Sequence, residues 1–372
     1  MGHQEELGKL RDEIGAVDDA LLNLMARRME LAVQVGEYKK QHRLPVKDYR
    51  VEKLIIDKVR EGAARLNIYP DLAESVFKSL IRYSVIRQDE MIRHDLSGPG
   101  PQARRVLVIG GRGLMGRWMA QYFHSTGHEV SVYDKYDNDD KSDKDLTFPE
   151  VKDLTAAVRD AGMIVLTTPL SGTADVIRQL IPLQPRGLVM EICSLKSPVI
   201  EAMQEAVAAG LKMASLHPMF GPDAAILAGR NFILCEGAGL QSDDEVAGLF
   251  NITSASLIRM PVDKHDELMS YVLGASHLIN LAFANLLQES GIPLKNFEDV
   301  AGTTFKNQME VTRTVVPENQ DLYYDIQSLN RETPALFASM GRILKTWQDL
   351  IAAGDADGFR QAMENTRIYF GR

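Results

Sequence analysis

The sequence predicts a multidomain protein in which an α/β domain lies between two all-α domains. Residues 5 to about 95 show helical periodicity without a convincing strand. From Arg105, short β-branched runs alternate with helical segments, and after about Pro261 the pattern is helical again. A chain of 372 residues is long enough for two or three domains. The expected boundaries are a helical domain 1–96, a Gly/Pro-rich linker 97–103, an α/β domain 104–261 and a helical domain 262–372.

Composition excludes several classes of function. A net charge of −9 argues against nonspecific nucleic-acid binding. Cys193 and Cys235 are too isolated for a disulfide framework, and no metal site is predicted. The polar N-terminus shows no signal peptide. The apolar stretch 271–287 carries His277 and two asparagines, so it predicts a buried helix and no membrane partner. We therefore expect a cytoplasmic protein.

The first helix carries a cation within its apolar face. The predicted first helix would extend about 50 Å, and two shorter helices follow it. Arg28 occupies a position where the three-and-four spacing calls for an apolar residue. A cation within a packing surface is costly unless an anion meets it, so the pattern predicts a pocket for an acidic ligand. The unequal helix lengths also predict an intertwined homodimer. The apolar positions are Leu7, Leu10, Ile14, Val17, Leu21, Leu24, Leu31, Val35 and Tyr38.

Other polar residues fall near Arg28 on these helices. Lys39 follows Arg28 by eleven residues, almost three turns, and therefore lies on nearly the same face. Arg11 points about 100° away and could reach the same pocket from a partner chain. On the third helix, a row of apolar residues spaced by four continues as Ser84 and Gln88. The alternative interpretation is that Arg11 and Lys39 are ordinary surface residues.

These residues together resemble the all-helical chorismate mutases over about ninety positions. The resemblance rests on the segments Leu10–Ile14, Val17-Asp18, Leu21-Leu22, Arg27-Arg28, Lys39, Pro45–Asp48, Glu52, Ser84 and Gln88. Chorismate is a dianion, and the resemblance implies that Arg11 and Arg28 clamp its two carboxylates while Ser84 contacts one of them.

The same resemblance implies the remaining mutase roles. Negative charge builds on the ether oxygen as the carbon–oxygen bond breaks, and Lys39 and Gln88 would donate hydrogen bonds to it. Glu52, with the backbone of Asp48, would orient the ring hydroxyl. No nucleophile or general base is needed. The family often has Arg directly before this Glu, where the present chain has Val51.

A glycine-rich turn follows the first predicted strand and opens a helix. The run Gly111–Gly116 has the GxGxxG spacing that lets backbone amides approach a pyrophosphate at a helix N-terminus. Asp134 ends the second predicted strand, where a carboxylate binds the ribose hydroxyls of NAD and repels the extra phosphate of NADP. The pattern predicts a Rossmann-type NAD-binding domain with contacts from Gly111, Gly113, Leu114, Met115, Gly116 and Asp134.

A histidine ends another apolar strand. His217, followed by Pro and Gly, falls where the carboxyl ends of parallel strands build active sites. With Thr167-Thr168-Pro169, Ser194-Leu195-Lys196 and His265-Asp266, this region resembles the prephenate dehydrogenases from about Arg104 onward. The order of the modules is similar to that of the bifunctional chorismate mutase–prephenate dehydrogenases.

This second resemblance implies a reaction and its residues. NAD⁺ takes a hydride from the ring carbon that bears the hydroxyl of prephenate, His217 accepts the hydroxyl proton, and loss of CO₂ makes 4-hydroxyphenylpyruvate. Thr167 matches a family serine that hydrogen-bonds the histidine. The C-terminal helices would form a dimerisation domain. Further implied contacts are Arg313, Lys306 and His277 for substrate and Thr168 and Pro169 for the cofactor.

Three other functions are compatible with parts of the pattern. The helical module could be a non-catalytic regulatory or dimerisation module attached to a prephenate or arogenate dehydrogenase. The α/β part could oxidise another small acid, such as a β-hydroxyacid, or act as an NAD-binding sensor. The cation at Arg28 and the motif around His217 favour the bifunctional enzyme over these alternatives.

Overall fold

The computed structural model describes residues 2–42, 48–91, 104–135 and 148–371. The predicted linker 97–103 and residues 136–147 lie outside the described residues. The chain forms two compact units, one of Met1–Cys193 with Ala202–Met260 and one of Ser194–Glu201 with Pro261–Arg372.

Helices make up most of both units. The first unit contains α1 (Gly2–Gln41), α2 (Tyr49–Arg65), α3 (Pro70–Met91), α4 (Leu114–Ser125), α5 (Leu154–Asp160), α6 (Leu170–Leu180), most of α7 (Ile200–Ala208) and α8 (Asp244–Asn251). The second contains α9 (Val262–Met269), α10 (Ser276–Glu289), α11 (Leu294–Asp299), α12 (Thr303–Val315), α13 (Gln320–Leu329), α14 (Thr333–Ala352) and α15 (Ala356–Tyr369).

One seven-stranded sheet forms the centre of the first unit. Its order is β2-β1-β3-β4-β5-β6-β7, and β1 to β5 are parallel while β6 is antiparallel to β5. The carboxyl ends of the parallel strands therefore share one edge, which confirms the predicted α/β fold. The strands are β1 (Arg105–Ile109), β2 (Glu129–Tyr133), β3 (Met163–Leu166), β4 (Leu188–Glu191), β5 (Lys212–Pro218), β6 (Asn231–Glu236) and β7 (Ser256–Pro261).

The N-terminal helices join the core of the α/β part through α2. Tyr49 is 2 % exposed, and its ring centroid lies 5.5 Å from that of Tyr122 and 6.1 Å from that of Trp118. Ile56 packs with Ile81 of α3 and Ala228 of the α/β part. Aromatic burial of this kind contributes a large share of packing free energy. The helical module and the sheet are therefore one packed unit.

The apolar face of α1 is not covered in the single chain. Ile14 is 61 % exposed and Leu24 is 67 % exposed, although α1 packs against α3 further along. A contiguous exposed apolar face on a long helix is typical of a surface that another chain covers. The predicted apolar face of α1 is present, but a single chain does not cover it.

The segment Val262–Glu289 is long and apolar enough to cross a membrane by length and composition alone, and 17 % of its most apolar window is buried. A π-helical turn at Ser270–Ala275 separates α9 from α10. The prediction of a buried helix is wrong for the single chain. Leu286 is 68 % exposed, whereas the polar Asn280 is buried and accepts a hydrogen bond from Thr312 at 2.9 Å.

Candidate active sites

Arg28 and Ser84 meet between α1 and α3. The Arg28 guanidinium donates to the Ser84 hydroxyl oxygen at 2.7 Å and to the Leu80 carbonyl at 3.0 Å. Ser84 is buried and donates its own proton to the Leu80 carbonyl. Burial lowers the pKa of Arg28 from its ordinary value, although an arginine stays charged at neutral pH. The structure thus brings together the cation and the serine that the helical pattern had paired.

The other residues predicted for this pocket differ in their exposure and in the contacts they make. Arg11 is exposed and Lys39 is half-buried on α1. Gln88 belongs to α3, but its side chain lies outside the described part of the structure. Asp48 is the N-cap of α2, and its carboxylate accepts the backbone N–H of Arg50 at 3.1 Å. Its carboxylate therefore starts the helix.

Glu52 makes contacts with the α/β part that the sequence did not predict. Its carboxylate accepts backbone N–H groups from Leu227 at 2.9 Å and Ala228 at 2.6 Å, and the Ser254 hydroxyl at 2.5 Å. The residue is 6 % exposed. The α2 face that carries Tyr49 and Glu52 is turned toward the α/β part, so this carboxylate fastens α2 there. A role on a substrate hydroxyl would require these bonds to break.

Glu52→Gln is expected to lower the free energy of unfolding by about 1–2 kcal/mol, because an amide has one acceptor oxygen for three donors. Burial raises the pKa of Glu52, with the Ser254 hydroxyl opposing it. The folded state therefore holds its proton more tightly than the unfolded state, and stability falls as pH rises above the unfolded value of about 4.5. Denaturant unfolding across pH 4–8 should show this slope in the parent protein and not in the variant.

The exposed Glu61→Gln on the same helix is the matched control, and it should leave both stability and its pH slope unchanged. An unchanged free energy of unfolding in Glu52→Gln, together with a large loss of chorismate turnover, would instead indicate that Glu52 contacts the substrate.

The glycine-rich turn is built for close approach. Gly110 has φ +88° and donates its N–H to the Tyr133 carbonyl at 2.8 Å. A Cβ added at Gly116 would stand 2.2 Å from the Gly110 carbonyl oxygen, so only glycine fits. Leu114 and Met115 are the first residues of α4, whose N–H groups lack helical partners. This cradle of backbone donors fits the pyrophosphate of a dinucleotide.

Gly116→Ala is expected to displace the turn and weaken NAD⁺ binding. A loss of about 1.4 kcal/mol of binding free energy raises Kd tenfold, and the overlap of the added Cβ with the Gly110 carbonyl should cost at least this. Calorimetric titration with NAD⁺ measures it. Gly172→Ala on α6 is the control, because an added Cβ there meets no atom within 4 Å. Equal Kd values in the two variants would contradict the assignment of the turn.

Asp134 and Arg112 shape the ribose end of this site. The Asp134 carboxylate, just after β2, accepts the Arg112 backbone N–H at 3.2 Å. The Arg112 guanidinium is paired with both oxygens of Glu150, at 3.0 and 3.1 Å. A guanidinium held this way is neutralised by its carboxylate, so it is poorly suited to hold a 2′-phosphate. Both features favour NAD over NADP, and sequence reasoning had used only Asp134.

His217 and Thr167 stand at the carboxyl ends of β5 and β3. His217 is 3 % exposed and is paired in register with Ile233 of β6. The Thr167 hydroxyl donates to the Ile109 carbonyl at 2.9 Å. Thr168, one residue on, shares a hydrogen bond with Thr173 at 2.8 Å, and Pro169 caps α6. The predicted residues therefore lie on the shared edge of the sheet.

The same edge of the sheet carries a buried carboxylate that was not predicted from the sequence. Glu191 ends β4 with no exposed surface, and it accepts the Cys193 backbone N–H at 2.6 Å and the Ser215 hydroxyl. A charged residue directly after Leu188–Met190 was the available signal. Its contacts connect the ends of β4 and β5, where they support the strand that carries His217.

In the second unit, Asp266 organises the start of the helical domain. Its carboxylate accepts the backbone N–H of Lys196 at 2.8 Å and of Ser197 at 2.6 Å, and it contacts His265 Nδ1 at 2.7 Å. Burial would raise its pKa, but the bonds from His265, Ser197 and Lys196 outweigh burial and lower the pKa of Asp266 to about 2. His265 is fully buried, consistent with a structural role.

Asp266→Asn is expected to remove about 2 kcal/mol of stability at neutral pH, from the difference between 3.8 and about 2. The folded pKa is depressed, so this stability is present above pH 3.8 and is lost as pH falls toward 2. Unfolding measured from pH 7 to pH 2 should show the difference in stability between the parent and the variant shrinking below pH 3.8. The exposed Asp263→Asn is the control, and parallel curves for Asp266→Asn and the parent protein would contradict the assignment.

The predicted substrate residues of the second unit lie on two helices. Arg313 and Lys306 are exposed on α12 and seven residues apart, so they share a face. Arg313 pairs with Glu298. His277 on α10 stacks on Tyr323 with ring centroids 4.1 Å apart, and its Nδ1 has no hydrogen-bond partner among the described residues. Burial lowers the pKa of His277, which favours the neutral imidazole.

Known families match the chain in three successive segments. Residues 10–89 match chorismate mutase type II, residues 119–255 match the prephenate dehydrogenase nucleotide-binding domain, and residues 261–365 match the prephenate dehydrogenase dimerization domain.

Two relatives match nearly the whole chain. The T-protein of Enterobacter agglomerans is 28 % identical over 98 % of this chain and 93 % of its own length. The T-protein of Haemophilus influenzae is 25 % identical over 100 % of this chain and 94 % of its own length. The crystal structure of prephenate dehydrogenase from A. aeolicus with hydroxyphenyl propionate and NAD⁺ shares the fold, with a TM-score of 0.57 at 17 % identity over 72 % of this chain and 97 % of that one.

Proposed function

Because this chain belongs to the family of bifunctional chorismate mutase–prephenate dehydrogenases, we propose that it makes prephenate from chorismate and then converts prephenate to 4-hydroxyphenylpyruvate with NAD⁺. This sequence of reactions leads toward tyrosine. The observation that carries the first activity is the contact of Arg28 with Ser84. The glycine cradle and the buried His217 at the same sheet edge support the second.

The mutase step needs positioned cations and hydrogen-bond donors. Arg28 is held by Ser84 and the Leu80 carbonyl, so its remaining N–H groups keep a defined direction toward a carboxylate. Lys39 and Gln88 are assigned to the ether oxygen, where negative charge develops as the carbon–oxygen bond breaks. Arg11 would come from the partner chain.

In the dehydrogenase step, bound NAD⁺ supplies the hydride acceptor. His217 takes the proton of the ring hydroxyl as the carbonyl forms. Since the Thr167 hydroxyl gives its own proton to Ile109, it can only accept from a histidine, and a His217 N–H on it would leave the other ring nitrogen as the base. Arg313, Lys306 and His277 are assigned to the substrate.

We also assign the protein as a homodimer in the cytoplasm. The exposed apolar face of α1 and the exposed apolar residues of α10 require a covering surface, and a second copy supplies both. The match to a dimerization domain supports the second of these. Cys193 and Cys235 are buried free thiols, which suits a reducing compartment.

A second candidate function is prephenate dehydrogenase activity alone, without chorismate mutase activity. The contacts of Glu52 with the α/β part, and Val51 beside it, favour a helical module that supports the fold without rearranging chorismate. The contact of Arg28 with Ser84 favours the bifunctional enzyme.

The test uses purified protein with chorismate and NAD⁺, following chorismate loss and NADH formation, with prephenate in a parallel reaction. NADH from both substrates is the expected result. NADH from prephenate alone would support the second candidate, and NADH from neither would overturn both.

A further inference from the structure

A cavity of about 330 Å³ lies between α3 and the loop that follows β5. Its polar lining comes from Lys78, Ser79 and Arg82 of α3 and from Asp223 and Arg230 of the loop. We call it the junction cavity, because it lies where the helical module packs on the α/β part. Its volume falls within the range of small-molecule sites.

The junction cavity is separate from the pocket around Arg28. Lys78 and Arg82 are four residues apart and share one face of α3, whereas Ser84 follows Arg82 by two residues and is turned about 200° away. Ser84 is the residue that contacts Arg28. The two cationic sites therefore lie on different sides of the same helix.

Positive charge dominates the junction cavity. Three cationic side chains face one carboxylate, that of Asp223. Lys78 is paired with Glu74 at 2.8 Å. Across the described part of the chain, the guanidinium groups of Arg82 and Arg230 have no ion-pair partner. Two unpaired guanidiniums that line the same cavity repel one another, and an anion bound in the cavity would relieve that repulsion.

The loop side of the cavity is held in place. Glu52 accepts the N–H groups of Leu227 and Ala228, and Gly229 has φ +77°. A Cβ at Gly229 would meet the Lys78 ammonium at 2.7 Å, so glycine lets this cation lie directly on the loop. The cations are thus carried by a fastened loop and a packed helix, as a binding site requires.

We propose that the junction cavity binds a small dianion, a dicarboxylate or a phosphate, that also carries a hydroxyl group. Arg82 and Arg230 hold the negative charges, and Asp223 accepts the hydroxyl proton of the ligand. Bound there, the dianion strengthens the packing of α3 on the loop.

The test is calorimetric titration of the full-length protein with L-malate and, separately, with inorganic phosphate. Saturable binding of either is expected, and the stronger of the two identifies the ligand class. Arg82→Gln and Arg230→Gln should each raise Kd about tenfold, the usual effect of losing one charge-assisted hydrogen bond. Arg186→Gln, an exposed arginine elsewhere, is the control.

Both enzyme activities should stay within about twofold in these variants, which shows that the fold is intact and keeps the test independent of the proposed function. Absence of saturable binding would overturn the proposal. So would equal Kd values in Arg82→Gln, Arg230→Gln and the parent protein, because the anion would then be bound elsewhere.

Discussion

Arg28→Ala is expected to lower kcat/KM for chorismate by about 10²- to 10³-fold, the range for loss of one positioned donor in a transition state. The guanidinium is the only cation that the structure, over its described residues, shows bonded to Ser84. Alanine removes the charge that we assign to a substrate carboxylate and leaves Ser84 without this donor. NADH formation from added prephenate should persist within about twofold, since the glycine cradle and His217 belong to another part of the unit.

Arg27→Ala is the matched control for this experiment. Arg27 is the neighbouring residue, is exposed, and pairs with Glu30 at 2.8 Å on the helix surface. Its loss should leave chorismate turnover nearly unchanged. Equal loss of both activities in Arg28→Ala would instead mean that the bonds from Arg28 to Ser84 and Leu80 stabilise the helical module. Thermal unfolding would then show a loss of stability in this variant.

His217→Asn is expected to lower NAD⁺-dependent oxidation of prephenate by about 10²- to 10⁴-fold, the usual contribution of a general base. Asparagine preserves much of the shape and can hydrogen-bond, but its amide cannot take up the hydroxyl proton. Chorismate turnover, followed without NAD⁺, should be unchanged and serves as the internal control. NAD⁺ binding should also persist.

His128→Asn is a second control, because its ring accepts the backbone N–H of Arg104 at 3.2 Å and lies at a turn before β2. The pH profile adds a sharper readout. The parent kcat should fall at low pH as the base is protonated, and the residual rate of His217→Asn should lack that limb. A retained rate with the same acid limb would remove His217 from the mechanism.

The fold class and the places of several candidate residues in it were predictable because they follow local rules. Helical periodicity predicted a long first helix, and β-branched runs from Arg105 predicted strands of the α/β part. The glycine spacing identified the cofactor turn, since only glycine tolerates an approach as close as that at Gly116. Asp134 and His217 followed from their positions at strand ends.

Other features depend on contacts between distant parts of the chain. Nothing local shows that Glu52 reaches Leu227, or that the Arg112 guanidinium is neutralised by Glu150. The apolar α10 face looked buried because periodicity reports which residues are apolar and says nothing about which chain covers them.

By itself, then, the sequence determined the order of the three modules, the helices and strands, and the chemical types at both sites, because these depend on neighbours within about ten residues. Only the tertiary structure decided what Glu52 binds, where Lys78, Arg82 and Arg230 converge, and which apolar faces remain open. Those outcomes depend on side chains up to 202 residues apart, as for Glu52 and Ser254. Hydrogen-bond partners at that separation are selected by packing and desolvation, which no local pattern encodes.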